Sequence, residues 1–278
     1  MQSINSNTQS LNTQNSLNKN DKATKSSLQK LSSGKRINSA KDDAAGLAIA
    51  LKFATQISGS RQAARNANDA ISLVQTAEGG LSEASENLQR MRELAVQSAN
   101  GTNTASDRQA LQIEFSQSQE EITLTVKSTE FNGNEVLHSS QNLEIQVGAN
   151  GTSSSKLTVT TNNVLSDPAL KDALQNIDIS SQGNSDTAIG KIDAAIEQIS
   201  LERSRLGATQ NSLVSTVKNI ETYHENTSSA RSQIIDTDFA KQTAELTKAK
   251  IKNNAGLAAL SHGNISATLV SGLLNKKF

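Results

Sequence analysis

The chain has 278 residues, with 27 basic and 27 acidic side chains and no cysteine. Balanced charge that is spread along the sequence argues against a general nucleic-acid or membrane-surface binder, and the lack of cysteine excludes disulfides, thiolate metal sites and thiol catalysis. Aromatic residues make up only 2% of the chain, which favours thin helix-on-helix packing over a wide globular core.

Residues 1–30 are polar, with Ile4, Leu11, Leu17 and Leu28 as their main apolar points. Two interpretations stay open: a helix whose apolar face is too weak to fold alone, or a disordered tail. This segment has no apolar run, so it predicts neither a secretory signal nor a membrane span, and no later segment is apolar enough to cross a bilayer.

The segment from Asp42 to Asn100 is rich in alanine and contains no proline, which is typical of a long helix. Its apolar residues recur at alternating steps of three and four, the spacing of a coiled-coil or bundle seam. The seam residues are Val74, Ala77, Leu81, Ala84, Leu88, Met91 and Ala95. Unbroken, this helix would be roughly 85–90 Å long, and Gly59 or the Gly79-Gly80 pair are candidate interruptions.

A loop at Asn100–Thr104 precedes a second helix, which we expect to begin at Ser106 with Gln109 completing a capping box. Its inner face consists of Leu111, Phe115, Ile122 and Val126. The pattern then changes. A turn is predicted at 131–133, and alternation in 143–147 and 156–160 predicts a hairpin with a long connection. Pro168 lies in an irregular region that follows.

Helical spacing resumes near Asp186. One heptad frame holds Ile189, Ile192, Ile196, Ile199, Leu206, Leu213, Val217 and Ile220. The last segment, from Ala255, has a stripe of Leu257, Ser261, Ile265, Leu269 and Leu273. We therefore predict a mainly α fold of elongated antiparallel helical rods, forming a coiled coil, with a small β-hairpin insertion.

Motifs for chemistry are missing. His224-Glu225 does not continue into a metal-protease HExxH, because position 228 is serine, and no glycine-rich phosphate loop occurs. The neighbouring carboxylates at 42–43 and 120–121 point about 100° apart on a helix and do not form an acid–base pair. The sequence therefore predicts no catalytic, metal or cofactor site, and no enzyme.

Long motifs at both ends resemble those of the bacterial flagellins. The family's N-terminal signature is similar to SSLQKLSSGKRINSAKDDAAGLAIA at 26–50 and to the segment 65–114. FNG at 131–133 and IQVGANG at 145–151 resemble the part that follows the second rod. The C-terminal signature is similar to IDAAIEQISLERSRLGATQNSL at 192–213 and to the segment 225–251. The resemblance covers nearly the whole chain.

The resemblance implies that 1–40 and 236–278 pair as an inner-tube domain of a filament. It implies that 41–130 and 186–235 form the helical rods of an outer tube, to which the β-hairpin and short irregular insertion at 131–185 belong. Large family members carry variable outer domains in the middle. This chain resembles a short form with at most a small outer projection.

The function implied by the resemblance is mechanical: a structural subunit polymerises with itself into the flagellar filament for swimming or swarming motility. The implied location is extracellular, on the bacterial flagellum, reached through the flagellar type III channel without a cleaved signal peptide. Implied partners are an export chaperone at roughly Thr237–Phe278, the filament cap and hook-associated proteins, with no nucleic acid and no membrane insertion.

Two sets of packing residues follow from the resemblance and the seams. Inner-tube packing is expected at Ile4, Leu11, Leu257, Leu260, Ile265, Leu269 and Leu273. The rod seam is expected at Val74, Leu81, Leu88, Met91, Ile192, Ile196, Ile199, Leu206, Leu213, Val217 and Ile220.

One stretch, Leu88–Asn100, resembles the surface that vertebrate Toll-like receptor 5 detects in flagellins. The matching residues are Gln89, Arg90, Glu93, Leu94 and Gln97, with Glu114 on the neighbouring helix. On a helical wheel Leu94 falls beside Arg90 on the polar side, so we expect it to be exposed. An apolar anchor beside a multidentate donor has the composition of an interface hot spot, and the resemblance implies contact with the next subunit of a protofilament. The alternative is a stray surface leucine.

Other functions stay open at this point. A hook–filament junction protein shares such helical ends, although the whole of 65–114 resembles flagellin itself. A non-polymerising surface protein with a flagellin-like frame is a further alternative, because polymerisation depends on surfaces rather than motifs. A flagellin with a protease insert is argued against by the short middle region and the missing HExxH.

Overall fold

The computed structural model describes residues 7–175 and 177–275, with side chains as far as Ile265 in the last helix. The helices of this part are α1 (Thr8–Ser33), α2 (Ala44–Ala99), α3 (Ala105–Ser128), α4 (Pro168–Gln175), α5 (Gln182–Ile235) and α6 (Phe239–Asn275). The strands are β1 (Glu130–Phe131), β2 (Asn134–Glu135), β3 (Gln141–Gln146) and β4 (Lys156–Thr161). The predicted mainly α fold with a β-hairpin insertion is confirmed. None of the helices, over the residues described, combines the length and apolar character that a membrane crossing needs.

The chain folds as two compact units. The terminal unit comprises Met1–Thr55 and Asn226–Phe278, and the central unit comprises Gln56–Glu225. These boundaries lie inside α2 and α5. The family resemblance instead implies divisions near residues 40 and 235, where loops precede α2 and follow α5.

The core of the central unit is a contiguous apolar cluster. Each α2 seam residue predicted from Val74 to Ala95 is at most 1% exposed. From α3, the cluster takes Phe115, Ile122 and Val126. From α5, the predicted seam contributes buried Ile192, Ile199, Leu206 and Leu213, with half-buried Ile196 packed against them. Farther along α5, outside this cluster, Ile220 is buried and Val217 is half-buried. Burial of such side chains stabilises by about 1.5–3 kcal/mol each.

Glycine does not interrupt α2, which is continuous past Gly59 and the Gly79-Gly80 pair. A β-carbon on Gly80 would lie 2.5 Å from Thr129 Oγ1 and 2.8 Å from Leu137 Cδ1. Gly80 is therefore where the segment after α3 approaches the α2 backbone, and its role is close packing rather than a break.

The start of α3 differs by two residues from the expectation. The capping box is formed by Thr104 and Asp107, rather than by Ser106 and Gln109: the Asp107 amide donates to Thr104 Oγ1 at 3.2 Å, and the Thr104 amide donates to Asp107 Oδ2 at 2.9 Å. Two capping patterns overlap in this sequence, and the earlier one, whose N-cap has extended backbone, is used.

The β-structure follows its predicted turns. Asn132 and Gly133 both have positive φ, 52° and 79°, which is the two-residue turn that joins β1 to β2. β3 pairs antiparallel with β4, from Gln141 opposite Thr161 to Gln146 opposite Lys156. The region of Pro168 was expected to be irregular but contains α4, a helix of 8 residues that is too short to show clear periodicity. Proline occupies its first position, where no backbone donor is needed.

Of the two interpretations of residues 1–30, the structure has the helical one for Thr8–Ser33. The antiparallel partner of α1 is α6. The two helices are joined at one end where the Thr237 amide donates to Gly34 O at 3.0 Å and the Arg36 amide donates to Ile235 O at 2.6 Å. Ile4 lies outside the described residues.

Candidate interaction surfaces

The seam between α1 and α6 contains mainly small and polar residues, with four leucines among them. Buried and half-buried positions of α1 recur at steps of three and four: Ser10, Thr13, Leu17, Asn20, Thr24, Ser27 and Leu31. The matching positions of α6 are Gln242, Leu246, Ala249, Asn253, Gly256, Leu260 and Gly263. This is heptad spacing without the usual apolar content.

Hydrogen bonds replace part of the missing apolar packing in this seam. Gln242 Nε2 donates to Ser27 Oγ at 2.8 Å, and both residues are buried. Asn7 Nδ2 donates to Gly263 O at 3.2 Å at the far end of the helix pair. Because a buried polar group is costly when unpaired, these bonds restrict which residues of α1 and α6 can face each other.

Six large apolar residues of these two helices are exposed, outside the seam. Their exposed fractions run from 47% to 63%. They are Leu11, Leu28, Phe239, Ile251, Leu257 and Ile265. The stripe of Leu257, Ser261 and Ile265 is therefore not the face that α6 turns to α1. Of the expected inner-tube residues, only Leu260 is half-buried in the seam, and the side chains of Leu269 and Leu273 lie outside the described residues.

An open apolar groove runs along the first turns of α6. Phe239, Ala240, Ala244 and Ile251 supply its apolar surface, and Lys248 and Lys252 also line it. Phe239 and Ile251 are 58% and 63% exposed. The groove combines exposed apolar side chains with flanking positive charge, which suits a protein partner better than solvent.

The second surface lies on α2 and α3 of the central unit and is centred on Arg90. Its guanidinium donates to Glu114 Oε1 from Nε at 3.0 Å and from Nη2 at 2.6 Å, and Nη1 donates to Glu93 Oε2 at 3.0 Å. The hydrogen bonds to Glu114, and then those to Glu93, raise the pKa of Arg90 above its usual value. Gln89 and Gln97 are also exposed. The structure thus brings five of the six predicted residues to the molecular surface.

Leu94 is the exception, and its expected exposure is wrong. It is 1% exposed and belongs to the central core. The wheel assumed a single apolar stripe, but near its C-terminus α2 buries Met91, Leu94, Ala95 and Ser98. Leu94 lies only about 60° from Met91 around the helix, so this wider buried face includes it. It supports the Arg90 surface from below.

Arg108 holds the end of α2 and the loop before α3 together, a role that the hydrophobic pattern of the sequence does not indicate. Its side chain donates to three carbonyl oxygens of the connecting segment: Ser98 O at 2.9 Å, Asn103 O at 3.0 Å and Asn100 O at 3.1 Å. Carbonyls at a helix C-terminus lack partners within the helix. An arginine shortly after such a loop was the available signal.

Histidines and carboxylates form no converging metal-ligand group among residues 7–175 and 177–275. His224 accepts a hydrogen bond from Arg61 Nε at 3.0 Å. Arg92 of α2 pairs with Asp193 of α5 at 2.6 Å. These polar contacts join helices of the central unit.

Two family models match the chain. The bacterial flagellin N-terminal helical region matches residues 4–142, and the bacterial flagellin C-terminal helical region matches residues 189–272. The chain is 45% identical to a flagellin of Halalkalibacterium halodurans over 248 residues, which cover 89% of this chain and 90% of that one. It is 39% identical to a flagellin of Bacillus subtilis, with 94% and 96% covered. The crystal structure of Bacillus cereus flagellin is 33% identical with a TM-score of 0.50, and the match covers 56% of this chain and 88% of that one.

Proposed function

Because the chain belongs to the bacterial flagellin family and is a structural subunit of the flagellar filament, we propose that copies join through the two surfaces described above. One is the exposed apolar face of α1 and α6, and the other is the Arg90 surface of α2 and α3. The filament is extracellular and serves motility.

The observation that carries this proposal is the inverted polarity of the terminal helices. Their mutual seam holds serine, threonine, asparagine and glutamine beside four leucines, whereas six other large apolar side chains remain exposed. Burying a fully exposed side chain of this kind stabilises by about 1.5–3 kcal/mol, and these side chains, which are about half exposed, would gain roughly half of that each. A helix pair with this arrangement is suited to being covered by further helices, and neighbouring copies of the chain supply them.

We assign the two surfaces to different layers of the filament. Residues 1–40 and 236–278 form the inner tube through the apolar face. Residues 41–130 and 186–235 form the outer tube, with the insertion 131–185, which includes the β3–β4 hairpin, attached to it. In the outer tube, Gln89, Arg90, Glu93, Gln97 and Glu114 contact the next subunit along a protofilament.

The Arg90 surface is suited to a contact role because its charged groups already hold one another in place. Arg90 is held by both Glu93 and Glu114, so little side-chain freedom is lost when a partner binds. On an unassembled copy the same surface is the candidate ligand of Toll-like receptor 5. The apolar anchor that Leu94 would supply to either partner is excluded by its burial.

The exposed α6 groove supports a partner before assembly. An export chaperone that covers 237–278 would hide Phe239 and Ile251 until secretion through the flagellar type III channel, without a cleaved signal peptide. At the ends of the filament, the cap and hook-associated proteins would meet the same helices. The family is one of structural proteins, and we propose no enzymatic role, no cofactor, no nucleic-acid partner and no membrane insertion.

Seeded growth tests the proposal directly. Purified full-length chain is mixed with sonicated fragments of its own filaments and followed by light scattering and negative-stain electron microscopy. We expect filaments that elongate from the fragments. A chain that keeps its helical circular dichroism but never extends the seeds would contradict the proposal and favour a junction protein or a non-polymerising surface protein.

A further inference from the structure

Three asparagine–glycine pairs lie on the surface of the central unit, and every residue of these pairs is exposed. They are Asn100-Gly101, Asn132-Gly133 and Asn150-Gly151. Because glycine has no β-carbon, its backbone nitrogen reaches the amide carbon of the preceding asparagine side chain with little steric hindrance. Such an asparagine is a candidate for a spontaneous covalent change, provided that the backbone around it can rotate.

The reaction requires the peptide plane after the asparagine to turn. This rigid plane carries the asparagine carbonyl oxygen and the glycine nitrogen, and it must rotate until the nitrogen faces the side-chain amide carbon. Hydrogen bonds to the carbonyl oxygen resist that rotation, and so does a tight hairpin turn. The three pairs differ in these restraints.

Asn100 is held firmly in the loop between α2 and α3. Its carbonyl oxygen accepts from the Asn103 amide at 3.2 Å and from Arg108 Nη2 at 3.1 Å. Its side-chain Oδ1 accepts from the Thr102 amide at 3.2 Å. The peptide plane and the side-chain amide are therefore both fixed, and the loop must open locally before they can meet.

Asn132 is restrained by strand pairing. Asn132 and Gly133 are the two turn residues between β1 and β2, and Phe131 pairs with Asn134 directly across the turn. Rotation of the peptide plane between the two turn residues would take the backbone out of the conformation that this turn requires. The strands on either side would have to separate at the same time.

Asn150 has weaker restraints, because it lies with Gly151 in the irregular loop between β3 and β4. Its carbonyl oxygen accepts from Gln146 Nε2 at 2.7 Å. That donor is a side chain, and it also donates to Gly148 O at 2.8 Å. Over residues 7–175 and 177–275, no other hydrogen bond is made by Asn150 or Gly151. Exposed loop positions of this kind open at little cost in free energy.

We propose that Asn150 is a site of spontaneous deamidation in the folded chain, whereas the fold protects Asn100 and Asn132. Hydroxide removes the proton of the Gly151 amide, and the nitrogen attacks Asn150 Cγ. The new carbon–nitrogen bond closes a succinimide ring, and the bond from Cγ to the side-chain nitrogen breaks. The leaving group takes a proton from water and departs as ammonia, which regenerates the hydroxide.

Water then opens the succinimide ring in one of two ways. Addition at Cγ breaks the new bond and leaves an aspartyl residue, whereas addition at the backbone carbonyl carbon leaves an isoaspartyl linkage that runs through the former side chain. Either product adds a carboxylate that is charged near neutral pH. The isoaspartyl product also lengthens the main chain beside Ala149, which packs so closely on α2 that a β-carbon on Gly59 would lie 2.6 Å from the Ala149 β-carbon. That product should therefore disturb the contact of the loop with α2.

Two matched glycine substitutions test the role of the attacking nitrogen. Gly151→Ala keeps the asparagine but places a methyl group beside that nitrogen. Nothing lies within 4 Å of the added β-carbon and Gly151 does not have positive φ, so the folded loop accepts alanine. Gly101→Ala makes the same change in the loop between α2 and α3, again in open space and without positive φ.

The measurement compares the folded full-length chain with the same chain in guanidinium chloride, both incubated at mildly alkaline pH. Digestion after lysine, arginine and glutamate places the three asparagines on separate peptides, 94–108, 131–135 and 145–156. Mass spectrometry then follows the gain in mass as an amide becomes a carboxyl group. A sample taken at zero time corrects for deamidation during digestion.

In guanidinium chloride the three sites should react at comparable rates, because only the local sequence acts. In the folded chain we expect Asn150 to stay within about threefold of that rate, and Asn100 and Asn132 to slow about tenfold or more. Gly151→Ala should slow the reaction at Asn150 about tenfold, and Gly101→Ala should leave it unchanged. Equal rates at all three sites of the folded chain, or the lowest rate at Asn150, would overturn the proposal. So would a Gly151→Ala chain in which Asn150 reacts as fast as in wild type.

Discussion

Gly256 of α6 lies directly against Leu17 of α1: a β-carbon at position 256 would come within 2.9 Å of Leu17 Cδ2 and 3.2 Å of its Cγ. Leu17 is the largest buried side chain of α1, and it fits only because the facing residue has no side chain. The closeness of the two terminal helices therefore depends on this pair.

Gly256→Ala tests that dependence. Alanine in a helix normally stabilises by about 1 kcal/mol relative to glycine, but here it must displace Leu17, and overpacking costs about 1–3 kcal/mol. We expect a net loss in the free energy of opening of α1 and α6, measured by hydrogen exchange of their amides. Gly190→Ala is the matched control, because nothing lies within 4 Å of its added β-carbon, and it should stabilise α5. Equal gains in stability from the two substitutions would contradict the close contact between Leu17 and position 256.

Leu94→Ala should destabilise the central unit strongly. Removing a fully buried leucine side chain costs about 2–5 kcal/mol through lost burial and the cavity left behind. Urea unfolding monitored by circular dichroism measures the change. Val96→Ala, two residues along the same helix and 48% exposed, should change the free energy of unfolding by less than about 0.5 kcal/mol. Similar changes in the free energy of unfolding from the two substitutions would contradict the burial of Leu94.

Arg90→Ala should slow filament growth while leaving the monomer folded. The side chain is half exposed and its partners are too, so its loss removes a contact group rather than core packing. We expect the rate of seeded growth to drop about tenfold or more if Arg90 is a hot spot. Arg92→Ala removes a comparably exposed ion-paired arginine that joins α2 to α5, and it should have a smaller effect on growth. The idea fails if Arg90→Ala grows as fast as Arg92→Ala.

Ile251→Gln should block growth without lowering the helix content of the monomer, because the residue is 63% exposed and lines the α6 groove. Burying an unpaired amide in a contact costs about 1–3 kcal/mol, which adds to the lost apolar burial. Leu124→Gln introduces the same amide at a position that is 68% exposed on α3. The rates of seeded growth of the two variants are compared at one salt concentration. Equal inhibition by both substitutions would contradict a special role of the groove.

Acid should weaken the start of α3. Hydrogen bonds from the Thr104 side chain and backbone lower the pKa of Asp107 below its ordinary value of 3.8. Because the folded chain then binds fewer protons than the unfolded chain, this stabilisation is complete above the ordinary pKa and is lost as the pH falls through the lowered pKa. The urea midpoint of Asp107→Asn should lie below that of wild type at about pH 6, and the difference should shrink as the pH falls below the ordinary pKa of 3.8. A difference in midpoint that stays constant as the pH falls would contradict this role of the Asp107 carboxylate.

Sequence alone predicted the long helices and the hairpin of the central unit because the packing of that unit is apolar. The steps of three and four from Val74 to Ala95 point to one buried face, and large side chains along the α5 frame fill the facing positions. Alternation in Leu143–Val147 predicted β3 for a similar reason. In each case the positions at which apolar residues recur are also the positions that the fold buries.

The terminal helices could not be predicted in this way. Hydrophobic periodicity finds the face that prefers burial, but α1 and α6 meet through Ser27, Gln242 and Gly256, and their apolar faces are left for other contacts. The predicted exposure of Leu94 was wrong for a different reason, because α2 is buried over a wider arc than the single apolar stripe.

The seam of α1 and α6 has a mechanical consequence. Many of its side chains are small and polar and recur with heptad spacing, so displacing one helix by a heptad, about 10.5 Å, would bring many similar side chains together again. Contacts between specific pairs oppose such sliding: the buried Ser27–Gln242 hydrogen bond and the fit of Leu17 over Gly256 within the seam, and the Asn7–Gly263 hydrogen bond at its far end. Alignment along the helix axis therefore depends on a few specific contacts, and an axial load on the terminal helices would act on them first.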